Sequence, residues 1–344
     1  MPDPTANPVS NAAGSAPLDL LVLGEVMRVL VAEPGEALAR AERFRSTIGG
    51  AEGNVAVGVS RLGHRAGWIG RVGDDDAGSY LLRRMRAEDV DVSAVRQVPG
   101  FTGLLLRNSS AHGAISVAYH RAGSAAAGVD AAQVRAAWEA ARAACGPRLV
   151  HVTGISLMLS EQSAAATREL IELAAAAGVS VSFDVNLRLR LAAPEQWRTA
   201  LADVAPRAQV IFAGTDELPL LPGGVDDAGR PVNPEQLAHT LIAGGATAVV
   251  CKNADHTATV YTRDAAHTEQ PLARQVVDPV GAGDALVAGY LSGLLENQPP
   301  ADCLRRGVGA AAFAVEGWSD TENLPDAREL TGLLAADGGE QVSR

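Results

Sequence analysis

Two kinds of apolar pattern alternate along this chain of 344 residues. One is a short unbroken run. Leu18-Asp-Leu-Leu-Val-Leu-Gly24 is the first of these, ended by glycine, as expected of a strand buried on both faces of a parallel sheet. The other is helical spacing. Val55, Val59 and Leu62 mark a helix closed by Gly63, and Leu81, Leu82 and Met85 mark an amphipathic one from Gly78 to Asp89. Arg65 to Asp74, between them, reads as a strand. Phe101 to Arg107 and Ala114 to Arg121 read as paired strands around Ser109-Ser-Ala-His-Gly113, a hairpin signal.

From residue 130 the alternation is regular. Helices at 130–144, 161–177 and 234–243 interleave with strands at Leu149–Thr153, Val179–Phe183, Ala208–Ala213 and Thr247–Lys252. Ser160 is placed to cap helix 161–177, and Gly178 ends it. Such alternation argues for an α/β fold on a parallel sheet. Leu286, Val287, Tyr290, Leu291, Leu294 and Leu295 share one face of a helix that reaches Glu296, and 301–316 form an Ala-rich helix. Residues 28–47 read as mixed and extended, and Gly317 to Pro325 as a loop. The stretch 1–17, rich in Pro, Ala, Asn and Ser without a period, reads as a disordered tail. The chain frays after Leu334, with 336–344 a C-terminal tail.

Composition narrows the class. Hydrophobic content of 47% is ample for a core, and no apolar run approaches the length of a membrane span. The length allows one large α/β domain or two smaller ones. A formal net charge of −11 argues against non-specific binding to nucleic acid or to an anionic membrane. It also means that an anionic ligand would need locally placed arginines. Cys145, Cys251 and Cys303 are odd in number, far apart and without metal spacing, as expected of reduced structural thiols. The first basic residue is Arg28, so the N-terminus lacks the charged start of a signal peptide, and a cytoplasmic location is the expectation.

The strongest chemical signal is Asp278-Pro-Val-Gly-Ala-Gly-Asp284, at the start of a helix. Gly281, Ala282 and Gly283 fall in or before the first turn, where backbone N–H groups lack intrahelical partners and the helix dipole is positive. That is an anion site, and glycines let the backbone approach a phosphate closely. Asp284 would repel phosphate, which makes sense if it acts as a base on a hydroxyl beside it. Read plainly, Asp284 is a cap and the glycines a tight turn. Gly49-Gly50 is a second place of close approach, and Asn54 offers donor and acceptor to a hydroxylated ligand. A turn and a cap are the plainer reading there too.

Asp278-Pro-Val-Gly-Ala-Gly-Asp284 resembles the C-terminal signature of the ribokinase/PfkB carbohydrate kinases, usually Asp-Thr-Thr-Gly-Ala-Gly-Asp. The order Gly49-Gly50, Asn54, Leu62-Gly63, Gly70-Arg-Val-Gly-Asp74, Gly78 and a helix resembles the family's N-terminal signature. The resemblance spans about residues 18–335. It implies one doubly wound, mainly parallel α/β domain with helices on both faces, and a small β lid from strands within about 28–47 and 100–121. It implies ATP and Mg²⁺ as cofactors, an anion hole at Gly281, Ala282 and Gly283, and Asp284 as catalytic base. Lys252, Asp278, Gly281 and Gly283 are implied near the nucleotide. Glu217 is implied as the organiser of Mg²⁺ through water, where its plain reading, with Asp216, is an acid in a first helical turn. Gly214 stands where the family's Asn-x-x-Glu has Asn, and Ala254 and Thr257 where Lys-x-Gly-x-x-Gly has glycines.

Tyr119-His-Arg-Ala-Gly-Ser-Ala-Ala126 is similar to the Tyr-Tyr-Arg-x-x-Ser-Ala run of 2-keto-3-deoxygluconate kinases. Asp184-Val-Asn-Leu-Arg188 resembles the segment whose arginine meets the acid group in those enzymes. By this resemblance Gly49, Gly50, Asn54, Tyr119, Arg121 and Arg188 contact the substrate, since guanidinium groups clamp a carboxylate in a bidentate way. An edge-strand Arg and a solvated loop Arg are the plain readings. Leu105 stands where those kinases often have tyrosine, which keeps fructose or another neutral sugar as the alternative. The implied activity is ATP-dependent phosphorylation of a primary hydroxyl, converting 2-keto-3-deoxygluconate to its 6-phosphate. An alternative of another class is a non-catalytic sugar- or nucleotide-binding homologue, motivated by Gly214, Ala254, Thr257 and Pro279. The implied partner is a small sugar or sugar acid, with a homodimer through the lid as the family's common assembly.

Overall fold

The computed structural model describes residues 17–108 and 115–336. The expected N-terminal tail lies outside the described residues except for Pro17, as do the hairpin turn at 109–113 and the C-terminal tail from 337. β1 (Leu20–Leu23) is buried at all four positions. Its side chains alternate between two cores: Leu21 and Leu23 join one, Leu20 and Val22 the other. The strand is therefore covered on both faces, which is why it is apolar without interruption.

The chain then leaves the central sheet. β2 (Met27–Ala32) and β3 (Phe44–Gly49) form an antiparallel pair outside it. α1 (Ala51–Arg61) leads back, and β4 (Ala66–Gly73) pairs parallel with β1. Asp75 caps α2 (Asp76–Ala87), its carboxylate accepting from the Gly78 amide at 2.7 Å. After the edge strand β5 (Val95–Val98), β6 (Leu104–Arg107) pairs parallel with β2 and antiparallel with β7 (Val117–His120). The result is a separate four-stranded sheet in the order β3-β2-β6-β7, the lid.

Helix and strand alternate from there. α3 (Ala131–Ala143), β8 (Leu149–Thr153), the short α4 (Gly154–Met158), α5 (Glu161–Ala176) and β9 (Ser180–Asp184) follow in turn. Next come α6 (Pro194–Val204), β10 (Val210–Gly214), α7 (Pro234–Ala243) and β11 (Ala248–Lys252). Two antiparallel strands, β12 (Ala258–Tyr261) and β13 (Ala266–Glu269), extend the edge. α8 (Ala282–Leu295), α9 (Pro300–Glu316) and α10 (Ala327–Ala336) complete the chain. The central sheet has nine strands in the order β13-β12-β11-β10-β9-β8-β1-β4-β5. One core lies under α3, α5, α6 and α7, with Trp138, Leu170, Trp197 and Leu237. The other lies under α1, α2, α8 and α9, with Val55, Leu81, Leu291 and Leu304. α8 is buried on nearly every side, as its apolar circumference requires.

Several elements were not expected from the pattern: β5, α4, α6, β12, β13 and α10. The C-terminal end is a correction. Among the described residues the chain stays helical two residues beyond Leu334, to Ala336. A reciprocal capping box starts α10: Asp326 accepts from the Glu329 amide at 2.7 Å, and Glu329 accepts from the Asp326 amide at 2.9 Å. Leu330 is buried at 1% exposure and pins the helix.

Candidate active site

The carboxyl ends of β1, β9, β10 and β11 open on one side of the sheet, where parallel α/β folds place ligands. The lid stands over that edge, and the two enclose a cavity of about 490 Å³. At its floor is the first turn of α8. Gly281 is the N-cap, with φ +85°. A Cβ there would lie 2.7 Å from the Asp320 carbonyl oxygen, so conformation and space both demand glycine. The amides of Gly283 and Asp284 belong to the turn that a helix leaves without internal partners. Gly50 is equally constrained, at φ +146° and with a Cβ that would meet the Glu25 carbonyl oxygen at 2.1 Å.

Asp284 projects from that turn between two asparagines. Asn54 Nδ2 donates to its Oδ2 at 2.7 Å, and Asn186 Nδ2 to its Oδ1 at 3.3 Å. Burial pushes its carboxyl up to about 7, and the nearby charges of Asp184 and Asp320 push the same way. The Asn54 hydrogen bond and Arg188 hold it from going further. A carboxyl at this value can take and release a proton near neutral pH.

Lys252, at the end of β11, bonds both oxygens of Asp184, at 2.8 and 2.9 Å. Its Nζ would lie 3.7 Å from a Cβ on Gly283, so the ammonium sits beside the anion-binding turn. Burial alone would lower the lysine's pKa; Asp184 and Glu217 outweigh it and raise it. Glu217 is not in a first turn of α-helix. Its Oε2 accepts from the Gly214 amide at 2.7 Å and its Oε1 from the Leu187 amide at 2.6 Å, tying the loops after β10 and β9. The side-chain space at Gly214 is filled by Asp216, whose Oδ1 lies 2.6 Å from where a Cβ would be. The loop without glycines at 254 and 257 is a tight turn held by Asn253 and Asp255, with the positive φ taken by exposed His256 at 68°.

On the lid side, Arg121 Nη2 lies 2.6 Å from Oε2 of Glu25, and Ser124 donates to the other oxygen at 2.8 Å. Glu52 accepts from Thr153 at 2.8 Å and Ser156 at 2.6 Å. Burial raises the pKa of both glutamates.

Gly50, Asn54, Tyr119, Arg121 and Arg188 line the cavity, and so do Glu217, Lys252, Gly281, Gly283 and Asp284. Ala282 is the first residue of α8 between two of them. Two named residues stand behind the wall. Gly49 packs against Val29, and Asp278 is 4% exposed with its oxygens turned to Arg107 and to the amides of Val280 and Ser319. Glu52 also lines the cavity, and so do Arg107 and Asp320, which were not singled out in the sequence. Asp320 belongs to the loop expected from Gly317 to Pro325, and it reaches the floor of the cavity. Its partner Asn54 donates at 3.4 Å. Five buried polar atoms here lack a hydrogen-bond partner among the described residues: the acceptors Asn54 Oδ1, Asn186 Oδ1 and Glu25 Oε2, the last met by Arg121 as an ion pair, and the donors Arg107 Nε and Arg121 Nε. Unmet donors and acceptors together suit a hydroxylated, anionic ligand.

Residues 18–327 match the family model described as pfkB family carbohydrate kinase. The chain belongs to this family. A 2-dehydro-3-deoxygluconokinase from Bacillus subtilis (strain 168) is 33% identical over 93% of this chain and 96% of its own length. The crystal structure of a PfkB protein from Polaromonas sp. JS666 superposes with a TM-score of 0.78, at 35% identity over 91% of this chain and 99% of that one. An E. coli protein of ribokinase type, solved in complex with ATP and Mg²⁺, superposes with a TM-score of 0.82 at 20% identity, covering 92% of this chain and 99% of its own, and shows the shared fold. The chain is thus a carbohydrate kinase of mixed α/β fold. Among the described residues no helix is long and apolar enough to cross a membrane.

Proposed function

We propose that this kinase transfers the γ-phosphoryl group of ATP to the primary hydroxyl of a 2-keto-3-deoxy sugar acid, 2-keto-3-deoxygluconate first among them, giving the 6-phosphate. The observation that carries the chemistry is Asp284, a carboxyl raised to about 7 in the turn whose amides face the same cavity. The substrate class is supported by Arg121 and Arg188, which line that cavity with it, and by the name of the Bacillus relative.

In this mechanism Asp284 accepts the proton of the attacking hydroxyl as the new O–P bond forms and the bond from the γ-phosphorus to the bridging oxygen breaks, releasing ADP. The amides of Ala282, Gly283 and Asp284 receive the charge gathering on the phosphoryl oxygens, and the Lys252 ammonium stands beside them. Mg²⁺ would neutralise charge on the ATP phosphates. No group of three or more His, Cys, Asp or Glu side chains among the described residues forms a ready metal cage. Glu217 and the unmet Asn186 Oδ1 therefore fit an ion held through water, arriving with the nucleotide.

One observation favours a neutral sugar instead. The charge of Arg121 is already met by Glu25, so a substrate carboxylate would have to share the guanidinium or rely on Arg188. The lid ends in two edge strands, β3 and β7, and a homodimer paired through it belongs to the same proposal, to be checked by sedimentation. The deciding experiment is ADP release with ATP and Mg²⁺ across 2-keto-3-deoxygluconate, 2-keto-3-deoxygalactonate, gluconate, fructose, ribose and adenosine. Turnover on a keto-deoxy acid is expected. Turnover on fructose alone would discard the acid and keep the mechanism; silence on every compound with ATP still bound would discard the mechanism.

A further inference from the structure

Resting on the kinase reading above, we propose that Arg107 is a positioning residue for phosphoryl transfer. Through Asp278 it ties the lid to the loop that shapes the anion-binding turn, so that a seated lid and an ordered turn occur together. Arg107 ends β6, and its side chain is 2% exposed. Its Nη2 donates to Asp278 Oδ2 at 2.6 Å, joining positions 171 residues apart.

That carboxylate is where three segments meet. Besides the lid arginine, Asp278 Oδ2 accepts from the Ser319 amide at 3.0 Å, and Oδ1 accepts from the Val280 amide at 3.2 Å. Val280 precedes Gly281, so Asp278 holds the backbone as it enters the turn. Gly281 in turn rests against Asp320, the neighbour of Ser319. A buried carboxylate with a guanidinium as its countercharge is strongly disfavoured once that guanidinium leaves. When the lid lifts, Arg107 leaves Asp278, and the loop must shift to bring the carboxylate to water. The turn would shift with it.

Two further contacts seat the lid on the same part of the body. Thr47 donates to Glu322 at 2.5 Å, and the Arg45 guanidinium lies 5.2 Å from the Trp318 ring centre. Both reach the segment that carries Ser319 and Asp320. Arg107 lines the cavity as well, but the tie itself works through Asp278, on the amides that meet the phosphoryl group.

The test compares Arg107→Met, Asp278→Asn, the double variant and Arg107→Lys by steady-state kinetics and amide hydrogen exchange. Each single neutral variant is expected to lower kcat by about 10²-fold, the scale of a misplaced site, with the sugar KM within about threefold of wild type. The double variant should be no worse than the poorer single one, because both remove the same interaction, and Arg107→Lys should recover part of the loss. Exchange should quicken at 104–107 and 117–120 in the lid and at 280–285 in the body, whichever partner is changed. Losses that multiply in the double variant, or exchange that quickens only beside the mutated residue, would overturn the proposal. So would a raised KM with unchanged kcat, which would make Arg107 a substrate contact. Exchange needs no turnover: if the wild-type protein phosphorylates nothing offered, the kinase reading fails while the exchange data still decide the tie. If Arg107→Met does not fold, Asp278→Asn and Arg107→Lys carry the same comparison.

Discussion

Asn54 Nδ2 lies 2.7 Å from Oδ2 of Asp284 and 3.4 Å from Oδ1 of Asp320, so one amide from α1 serves two carboxyls that burial makes reluctant to ionise. The two acids also repel each other, and the Asn54 donor is the hydrogen bond that restrains Asp284. Replacing Asn54 by Ala should therefore raise the Asp284 pKa further. The acid limb of the kcat/KM profile, which reports the free enzyme and is expected near pH 7 in the wild type, should move to higher pH. A limb that stays in place or moves down would separate Asp284 from the catalytic proton.

The same carboxyl links activity to stability with opposite signs. Its pKa is raised from 3.8 to about 7 in the fold, so folding favours the protonated form. The stability this group contributes is present below pH 4 and is lost as pH rises through 7. Asparagine mimics the neutral acid. Asp284→Asn should lower kcat by about 10²–10⁴, the range for loss of a general base, leave sugar binding intact, and raise Tm relative to wild type above pH 7 but not below pH 4. Thermal melts across this range, with calorimetric titration of the sugar, check it. A variant less stable than wild type at pH 8 would contradict the burial cost assigned to the charge.

Much of the fold and the floor of the site can be read along the chain because the signals are local. An apolar run ended by glycine marks β1, and the turn at Gly281 must be glycine for conformational reasons that hold within a few residues. The roof is another matter. Arg107 looks like the polar end of a short strand, and nothing nearby reveals that β6 pairs with β2 or that Asp278 lies across from it. Asp320 sits in a loop whose composition does not show that its backbone lies against Gly281, far away in the site's floor. Glu25 and Glu52 are acids in apolar surroundings, tolerated only because Arg121, Ser124, Thr153 and Ser156 converge on them from other elements. The capping box at Asp326 and Glu329 is local, by contrast, and the sequence signal for α10 was present.

Chelation of Mg²⁺ by EDTA is expected to abolish turnover and to leave Tm unchanged. Glu217 already accepts two backbone amides and Asp184 is bonded by Lys252, so the protein's own groups hold these acids in place. Glu217→Ala, in contrast, should destabilise the fold, because the amides of Gly214 and Leu187 lose their acceptor at about 1–3 kcal/mol each. Urea titrations with and without EDTA separate the two effects. A fall in Tm on chelation of the unliganded protein would indicate an ion resident in the site.

Arg121 joins substrate choice to stability, and a pair of variants separates them. Its guanidinium lies 2.6 Å from the buried Glu25. Arg121→Ala would leave that carboxylate without its partner, at a cost on the order of 3–5 kcal/mol, unless Glu25 takes up a proton, to which burial already predisposes it. The single variant should accordingly lose stability, and lose more at high pH than at low. Adding Glu25→Gln removes the stranded charge and should restore most of the stability. It cannot restore a clamp for a substrate carboxylate. The double variant is expected to melt near the wild-type temperature, to turn over a keto-deoxy acid poorly, and to treat a neutral ketose much as the wild type does. Urea titration and the ADP-release assay on the same preparations give both answers. Full turnover of the acid by a stable double variant would take Arg121 out of substrate recognition and leave Arg188 to carry it alone.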